Sequence, residues 1–295
     1  MTYDHIVAIY NPNSTNDAPA KAADFRDDAA RAGVIVQLIE TDHAGHAIEI
    51  AHDIVSKYDH PLLISVSGDG GYNELINGVI AAKKNTQRRP VVAILAAGNA
   101  NDQKRATRED TPLLDLILHD EPRPLDLLRL QTDMIYRYAH SYIGLGFTPE
   151  VGIELNRHEL NRWREIQLVF RSLTRFSPFH ITRDNTTNTY ASIIFANIRH
   201  MSKVLKLDTA SNDLQDGKFE LIAAPWHGKF RLVMHFLRLA TFGAPETPQF
   251  HTYSFTTIDS KTPVQLDGEI ESIPKDTKVT ITAESNTVLS LYTAS

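Results

Sequence analysis

Two short stretches of this sequence set carboxylates beside glycines in patterns that suit phosphate chemistry. The first is Ser67-Gly68-Asp69-Gly70-Gly71, which stops an apolar run abruptly and is followed at once by the helical pattern "YNELINGVI". Gly68 and Gly70 let a chain turn sharply and bring main-chain N–H groups close to a bound group, and the helix that follows presents its positive end to an anion. Asp69 would repel phosphate directly, so it suits a Mg²⁺ ion bridging the phosphates or that ion's water shell. A plain strand-to-helix turn with Asp69 as a cap is the alternative that these letters alone leave open. The second stretch is Asp267-Gly268-Glu269. On an extended strand, the period of two sets Asp267 and Glu269 on one face. There Asp267 can accept the proton of an attacking hydroxyl while Glu269 orients it, shares the proton or holds a metal through water. Alone, the same letters also fit a tight Asp-Gly turn between two strands.

The elements that must position these groups follow from periodicity. "HIVAIY" (5–10), "VIVQLI" (34–39), "LLISVS" (62–67) and "VVAIL" (91–95) read as buried strands, and the patterns near 19–32, 44–58 and 72–83 read as helices. That alternation predicts a mostly parallel sheet, in which ligands sit at the carboxyl ends of strands. Three of those ends carry unusual sequence: "YNPNST", "SGDGG" and "LAAGNAND". Beyond Asp126 the pattern changes. "IYRYAHSYIGLGF", "TYASIIFANI", "KFELIAA", "HTYSFTTI", "TPVQLDGEI" and "KVTITA" read as strands, interrupted by helical stretches at 156–175 and 227–241. The expected fold is α/β plus β: a doubly wound domain over 1–126, then a β-rich, sandwich-like or barrel-like domain over 127–295.

Composition excludes several classes. The chain has 295 residues, 42% of them hydrophobic, enough to bury a sizeable core and to favour two domains. A net charge of -6 argues against a general nucleic-acid binder, and the absence of cysteine removes disulfides, thiolate metal sites and cysteine nucleophiles. The first residues lack the pattern of a signal peptide, and no apolar run approaches the ~18 residues that span a bilayer. A cytoplasmic protein is expected. The thirteen histidines show no helical pairing that would argue for zinc.

The block "SGDGGYNELINGV" resembles the Gly-Gly-Asp-Gly-Thr-x-Asn-Glu-x-x-Asn-Gly block of the diacylglycerol kinase catalytic family, bacterial lipid kinases related to sphingosine and ceramide kinases. Gly68, Asp69, Gly70, Asn73, Glu74, Asn77 and Gly78 stand where that block has them. Further resemblances follow in order: "YNPNST" to Asn-Pro-x-Ser-Gly, "AAGNANDQKR" to Gly-Thr-x-Asn-Asp-Phe-Ala-Arg, and "YIGLGFTPEV" to Gly-x-Gly-Phe-x-x-x-Val. "LQDGKFEL" resembles a metal loop and "VQLDGE" a catalytic Asp-Gly-Glu, so the matches run from Asn11 to Glu269.

The resemblance implies a two-domain lipid kinase with ATP in a cleft between the domains and a late segment returning to the first. It implies nucleotide contacts from Asn11, Ser14, Thr15, Thr41, Ser67, Gly68, Asp69, Gly70, Gly71, Tyr72, Asn73, Glu74, Gly98, Asn99, Asn101 and Asp102. Mg²⁺ would be held by Asp69 and by Asp216 with the flanking Asp213 and Lys218, and Asp267 and Glu269 would be the catalytic carboxylates. A homodimer stands as one possible assembly. The departures are Gly71 and Asn99 where the family has threonines, Ser67 and Thr15 where it has glycines, and Gln103-Lys104 where it has Phe-Ala. Two lost hydroxyls, each worth ~1 kcal/mol net and up to ~1.5–3 kcal/mol toward a charged acceptor, would weaken nucleotide binding tens to thousands-fold unless the Gly71 N–H and the Asn99 amide replace them. A catalytically weakened relative of the same fold, or a soluble-substrate kinase of the NAD kinase or phosphofructokinase type, are the alternatives.

The lipid end is read from two segments. Residues 226–242 carry Trp226, Phe230, Val233, Met234 and Leu237 interspersed with Lys229, Arg231 and Arg238. Residues 157–175 carry five arginines, Arg157, Arg162, Arg164, Arg171 and Arg175, around Trp163, Leu168, Val169 and Phe170. Both suit a peripheral, anionic membrane surface, the second more strongly. Each also reads as a helix packed on the β domain with a charged outer face.

Overall fold

The computed structural model describes residues 3–83, 87–99, 101–107, 111–119, 122–146, 176–198, 200–201, 205–206, 214–242 and 247–293. The chain divides into two compact units: Met1–Leu127 with Asn212–Asp216 and Glu284–Ser295, and Leu128–Ser211 with Gly217–Ala283. In chain order the first unit holds β1 (His5–Tyr10), α1 (Ala18–Arg31), β2 (Gln37–Glu40), α2 (His46–Lys57), β3 (Pro61–Ser67), α3 (Asp69–Lys83), β4 (Val91–Ala96), α4 (Asp102–Thr107) and α5 (Leu113–His119). Then come β5 (Arg123–Gln131), β6 (Tyr136–Ala139), β7 (Tyr142–Gly146), β8 (Phe179–Arg183), β9 (Thr186–Ala196), β10 (His200–Met201), β11 (Leu205–Lys206) and β12 (Phe219–Pro225). The last elements are α6 (Lys229–Phe242), β13 (Gln249–Phe250), β14 (Thr252–Thr257), β15 (Lys261–Leu266), β16 (Glu269–Pro274) and β17 (Lys278–Ser290).

In the first unit the strands run parallel in the order β2-β1-β3-β4, and Leu289–Ser290 at the end of β17 adds a parallel pairing beside β4. β3 is buried along its whole length, as a central strand covered on both faces must be. One face packs Ala8, Leu62, Ile64, Val66, Val91 and Ala93 against Ala18, Ala22, Phe25 and Ala29 of α1 and Leu113, Leu116 and Ile117 of α5. α2 and α3 cross at Gly78, where an added Cβ would lie 2.4 Å from the Ile48 carbonyl oxygen. The chain moves outward from β1 to β2 and then to β3 on the other side of β1. That reversal makes the carboxyl ends of β1 and β3 a topological switch point.

β2 begins at Gln37 rather than at residue 34. Gly33, with φ 80°, closes α1, and the Val34 N–H bonds back to the Ala29 carbonyl at 2.8 Å, so these residues finish the helix. α3 in turn begins at Asp69, three residues before the position periodicity predicts, because Gly70 and Gly71 hide the start of a helical pattern.

The second unit is β-rich, as expected. Its strands follow the order β16-β15-β7-β9-β8-β14-β17, with β12 on β9, β13 on β12 and β6 on β5. Phe195 sits in the core with ring centroids 5.6 Å from Phe219 and 5.4 Å from Tyr253. Two segments read as single strands are broken. "IYRYAHSYIGLGF" divides into β6 and β7 at His140-Ser141, and "TPVQLDGEI" divides into β15 and β16 at Asp267-Gly268. The predicted helix at 227–241 appears as α6, while the one at 156–175 and its arginines lie outside the described residues.

Candidate functional site

Three loops of the first unit meet at the carboxyl ends of β1, β3 and β4. The Asn11 N–H donates to the Val66 carbonyl at 3.4 Å, and the Asn16 N–H to the Ala97 carbonyl at 3.1 Å. Asn16 Nδ2 and Lys21 Nζ hold the β4 end from the side, donating to the Gly98 and Ala96 carbonyls at 2.6 and 3.0 Å. Gly68 and Gly98 touch backbone to backbone: a Cβ on Gly98 would lie 2.4 Å from the Gly68 Cα. That approach demands glycine at 98 and leaves a Cβ on Gly68 a tight 3.2 Å from the Gly98 Cα; no left-handed turn is involved, since neither Gly68 nor Gly70 has a positive φ. Sequence reading missed Asn16, which follows "YNPNST" directly, and Lys21, one turn into α1.

Most letters of the glycine-rich block build this corner and do not face outward. Asp69 accepts from the Asp102 and Gln103 N–H groups, both at 3.1 Å, so its carboxylate caps α4. Glu74 accepts from the Gly45 N–H at 2.8 Å and so caps α2. Tyr72 is fully buried, with its hydroxyl 3.4 Å from Ser290 Oγ. Asn73 and Asn77 are buried and bonded to each other, Asn77 Nδ2 donating to Asn73 Oδ1 at 3.0 Å. Asn101 adopts φ 52° and clasps Gly98, accepting from its N–H at 3.0 Å. Asp102 is buried and paired with Arg105. Tyr72, Asn73, Glu74, Asn101 and Asp102, for which the resemblance implies nucleotide contacts, thus each have a structural partner within the first unit.

What the corner presents outward is smaller. Ser14, Thr41, Gly70 and Gly71 are partly exposed, and Thr15 and Asn99 are exposed. Thr41 is fixed by its N–H to the Tyr10 carbonyl at 2.9 Å, and Tyr10 donates to Glu40 at 2.8 Å, a bond that raises the phenol pKa. The first helical bond of α3 runs from Tyr72 N–H to the Gly68 carbonyl at 3.2 Å. The carbonyls four residues before Gly70 and Gly71 already serve Asn11 and Ala97. The amides of Gly70 and Gly71 thus point their donor capacity at whatever binds the helix end, a geometry that fits a phosphate.

Gly71 is glycine for a steric reason. A Cβ there would lie 2.4 Å from Ser67 Oγ and 2.7 Å from Ser67 Cβ. Ser67 Oγ is itself buried, 2.6 Å from Ser65 Oγ and donating to the Gly68 carbonyl at 3.0 Å. The two departures from the family block are therefore one: serine at 67 occupies the volume that a side chain at 71 would fill.

The carboxylate pair of the second unit is equally specific. Asp267 and Gly268 have φ 49° and 106° and join β15 to β16, with Leu266 opposite Glu269. Two successive positive φ values are the requirement of the hairpin turn that Asp-Gly favours. Asp267 thus lies in the turn itself and Glu269 opens β16, so the two are not on one face of a single strand. The Asp267 carboxylate is buried. Its Oδ1 accepts from the Ser141 and Tyr142 N–H groups, both at 2.9 Å, and its Oδ2 from the His140 N–H at 2.6 Å. His140 Nε2 lies 3.3 Å from the same Oδ2, and its Nδ1 is 2.7 Å from Ser141 Oγ. Two carboxylate oxygens offer about four acceptor positions, so these contacts fill Asp267. The geometry makes Asp267 the lock of the hairpin, whereas Glu269 is exposed. His140 escaped sequence reading; its signal was a polar His-Ser pair interrupting two apolar strands.

Of the expected metal ligands, Asp69 spends both oxygens on α4, Asp216 is half-buried, Lys218 is exposed and Asp213 lies outside the described residues. Among the described residues no three acidic or histidine side chains converge as a metal site.

Residues 5–130 match the family model for the diacylglycerol kinase catalytic domain. That match lies in the amino-terminal part of the chain. Among curated proteins, the diacylglycerol kinase of Staphylococcus saprophyticus is 35% identical over 111 residues, 37% of this chain and 34% of that one. The diacylglycerol kinase of Bacillus subtilis is 30% identical over 124 residues, 40% of this chain and 39% of that one. The match spans little more than a third of each relative's length. A crystal structure of a diacylglycerol kinase from Bacillus anthracis is similar with a TM-score of 0.71, covering 99% of this chain and 98% of that one at 16% identity, a likeness of fold. The whole phosphate corner lies inside the family match; Asp216, Lys218, Asp267 and Glu269 lie beyond it.

Proposed function

We propose that this protein is a lipid kinase that moves the γ-phosphate of ATP, accompanied by Mg²⁺, to the hydroxyl of diacylglycerol or a similar lipid. The observation that carries this reading is the diacylglycerol kinase family match falling on a corner whose outward groups are phosphate donors. In this reading the Gly70 and Gly71 amides, the Ser14 and Thr15 hydroxyls and the Asn99 amide hold the nucleotide phosphates. The lipid oxygen bonds to the γ-phosphorus, the bond to the bridging oxygen breaks with its electron pair leaving on ADP, and the hydroxyl proton passes to a carboxylate. We assign that proton to Glu269, the carboxylate the hairpin leaves exposed, with Asp267 and His140 holding its strand.

A catalytically weakened nucleotide binder is the second reading. Its support is that Ser67 Oγ, turned inward to Ser65, does not replace the hydroxyl missing at 71. The test is transfer of labelled γ-phosphate into mixed micelles of diacylglycerol, monoacylglycerol or ceramide. Glu269→Gln is expected to reduce transfer ~10²–10⁴-fold at unchanged thermal stability. Asp267→Asn is expected to lower stability as well, because its amide nitrogen would set a donor against the His140 N–H, or against the Ser141 and Tyr142 N–H groups if flipped. Label in no lipid, with ATP binding confirmed separately, would leave the weakened relative; full transfer by Glu269→Gln would remove it from the proton role.

A further inference from the structure

No helix among the described residues is long and apolar enough to cross a membrane. A kinase acting on a bilayer lipid has to meet the membrane surface, and the second unit carries a helix suited to that contact. α6 packs inward through Leu232 and Val233 onto Phe176, Ala191, Ala224 and Trp226. An ordinary amphipathic helix would face solvent with charged and polar residues. On α6, Phe230 and Met234 face outward instead, 79% and 51% exposed. Their spacing of four residues sets them side by side, one turn apart. Arg238 continues the same stripe one turn further, and exposed Arg231 stands beside it. The contrast with α1 is sharp. That helix is of equal length, and its outer face carries Asp24, Asp27 and Asp28 and no exposed large apolar side chain.

Charge selects the occupant. α6 carries Lys229, Arg231 and Arg238 and no acidic residue, in a chain whose net charge is -6. An apolar pair ringed by cations, on a protein otherwise acidic, complements an apolar layer beneath anionic headgroups. A second copy of this chain would bring the same cations face to face, and a neutral apolar partner would offer no counter-charge to Arg231. We propose that the outer face of α6 is the docking surface for anionic lipid bilayers, with Phe230 and Met234 entering the interface and Arg231 resting among the headgroups. The inference builds on the lipid-kinase reading, but its test needs no catalysis.

The experiment is cosedimentation of the full chain, without ATP, with vesicles of phosphatidylcholine alone or mixed with phosphatidylglycerol. The expected result is binding to the mixed vesicles that falls with added salt. Phe230→Ser/Met234→Ser should weaken it at least ~10-fold and Arg231→Gln about fivefold. Both side-chain sets are exposed, so thermal stability and transfer to a water-dispersed short-chain acceptor should persist. Equal binding by the double variant, or equal binding of the native chain to uncharged vesicles, would overturn the proposal. So would a native dimer that the double variant converts to monomer, which would assign the face to a second copy. Vesicle binding with no kinase activity would remove the lipid-kinase reading and leave this surface standing.

Discussion

The reciprocal fit of Ser67 and Gly71 makes a prediction whose sign is decisive. Gly71 lies in the first turn of α3 with no positive φ, so nothing in its backbone forbids a side chain. On helix propensity alone, Gly71→Ala should stabilise by up to about 1 kcal/mol. The structure predicts the opposite. The new Cβ would sit 2.7 Å from Ser67 Cβ, which no rotamer change can move, and 2.4 Å from Ser67 Oγ, held by Ser65 and the Gly68 carbonyl. Overpacking of this kind costs ~1–3 kcal/mol, and displacing the hydroxyl adds ~1 kcal/mol for each bond lost. We expect Gly71→Ala to destabilise by about 2–3 kcal/mol and Gly71→Thr by at least as much, a fall in Tm of several degrees. In a Ser67→Gly background the clash disappears, and each substitution at 71 should become neutral or stabilising. The double-mutant cycle should therefore show a coupling of ~2–3 kcal/mol. Thermal and urea unfolding of the four proteins, with binding of a non-hydrolysable ATP analogue alongside, reads both stability and site. The Ser67→Gly/Gly71→Thr protein should bind the analogue at least as tightly as the native chain. An additive cycle, or a rise in Tm for Gly71→Ala alone, would refute the steric reasoning.

Two further outcomes follow from the geometry. Asp69→Ala should destabilise the nucleotide-free, metal-free protein by ~1–3 kcal/mol, because it uncaps α4 at two amides; unchanged unfolding in chelator would mean that Asp69 serves only a ligand. Burial pushes the Tyr3 phenol up to about 12 from 10, which favours the neutral form in the folded state. Above pH 10 the unfolded chain ionises first, so stability is lost as pH rises from about 10 toward 12, and Tyr3→Phe should move the alkaline fall in Tm to higher pH; identical pH profiles would remove Tyr3 from that loss.

The sequence by itself determined the layered first unit and the place of its site. Runs such as "LLISVS" read as buried strands because they are mostly apolar and carry no charged residue, and a glycine-rich break at a strand's carboxyl end can be read from chain order alone. It also determined that Asp-Gly near residue 267 would be chemically distinctive, though not which distinction applied. Tertiary structure decided what each letter of the block does. Asp69 and Glu74 cap helices distant in sequence, Gly68 needs Gly98 thirty residues later, and Ser67 and Gly71 exclude each other across one turn. It likewise sealed Asp267 with amides of His140, Ser141 and Tyr142 and left Glu269 exposed. Periodicity reports which face of an element is apolar, but a cap, a close backbone approach or a filled carboxylate depends on atoms that only folding brings within ~3 Å.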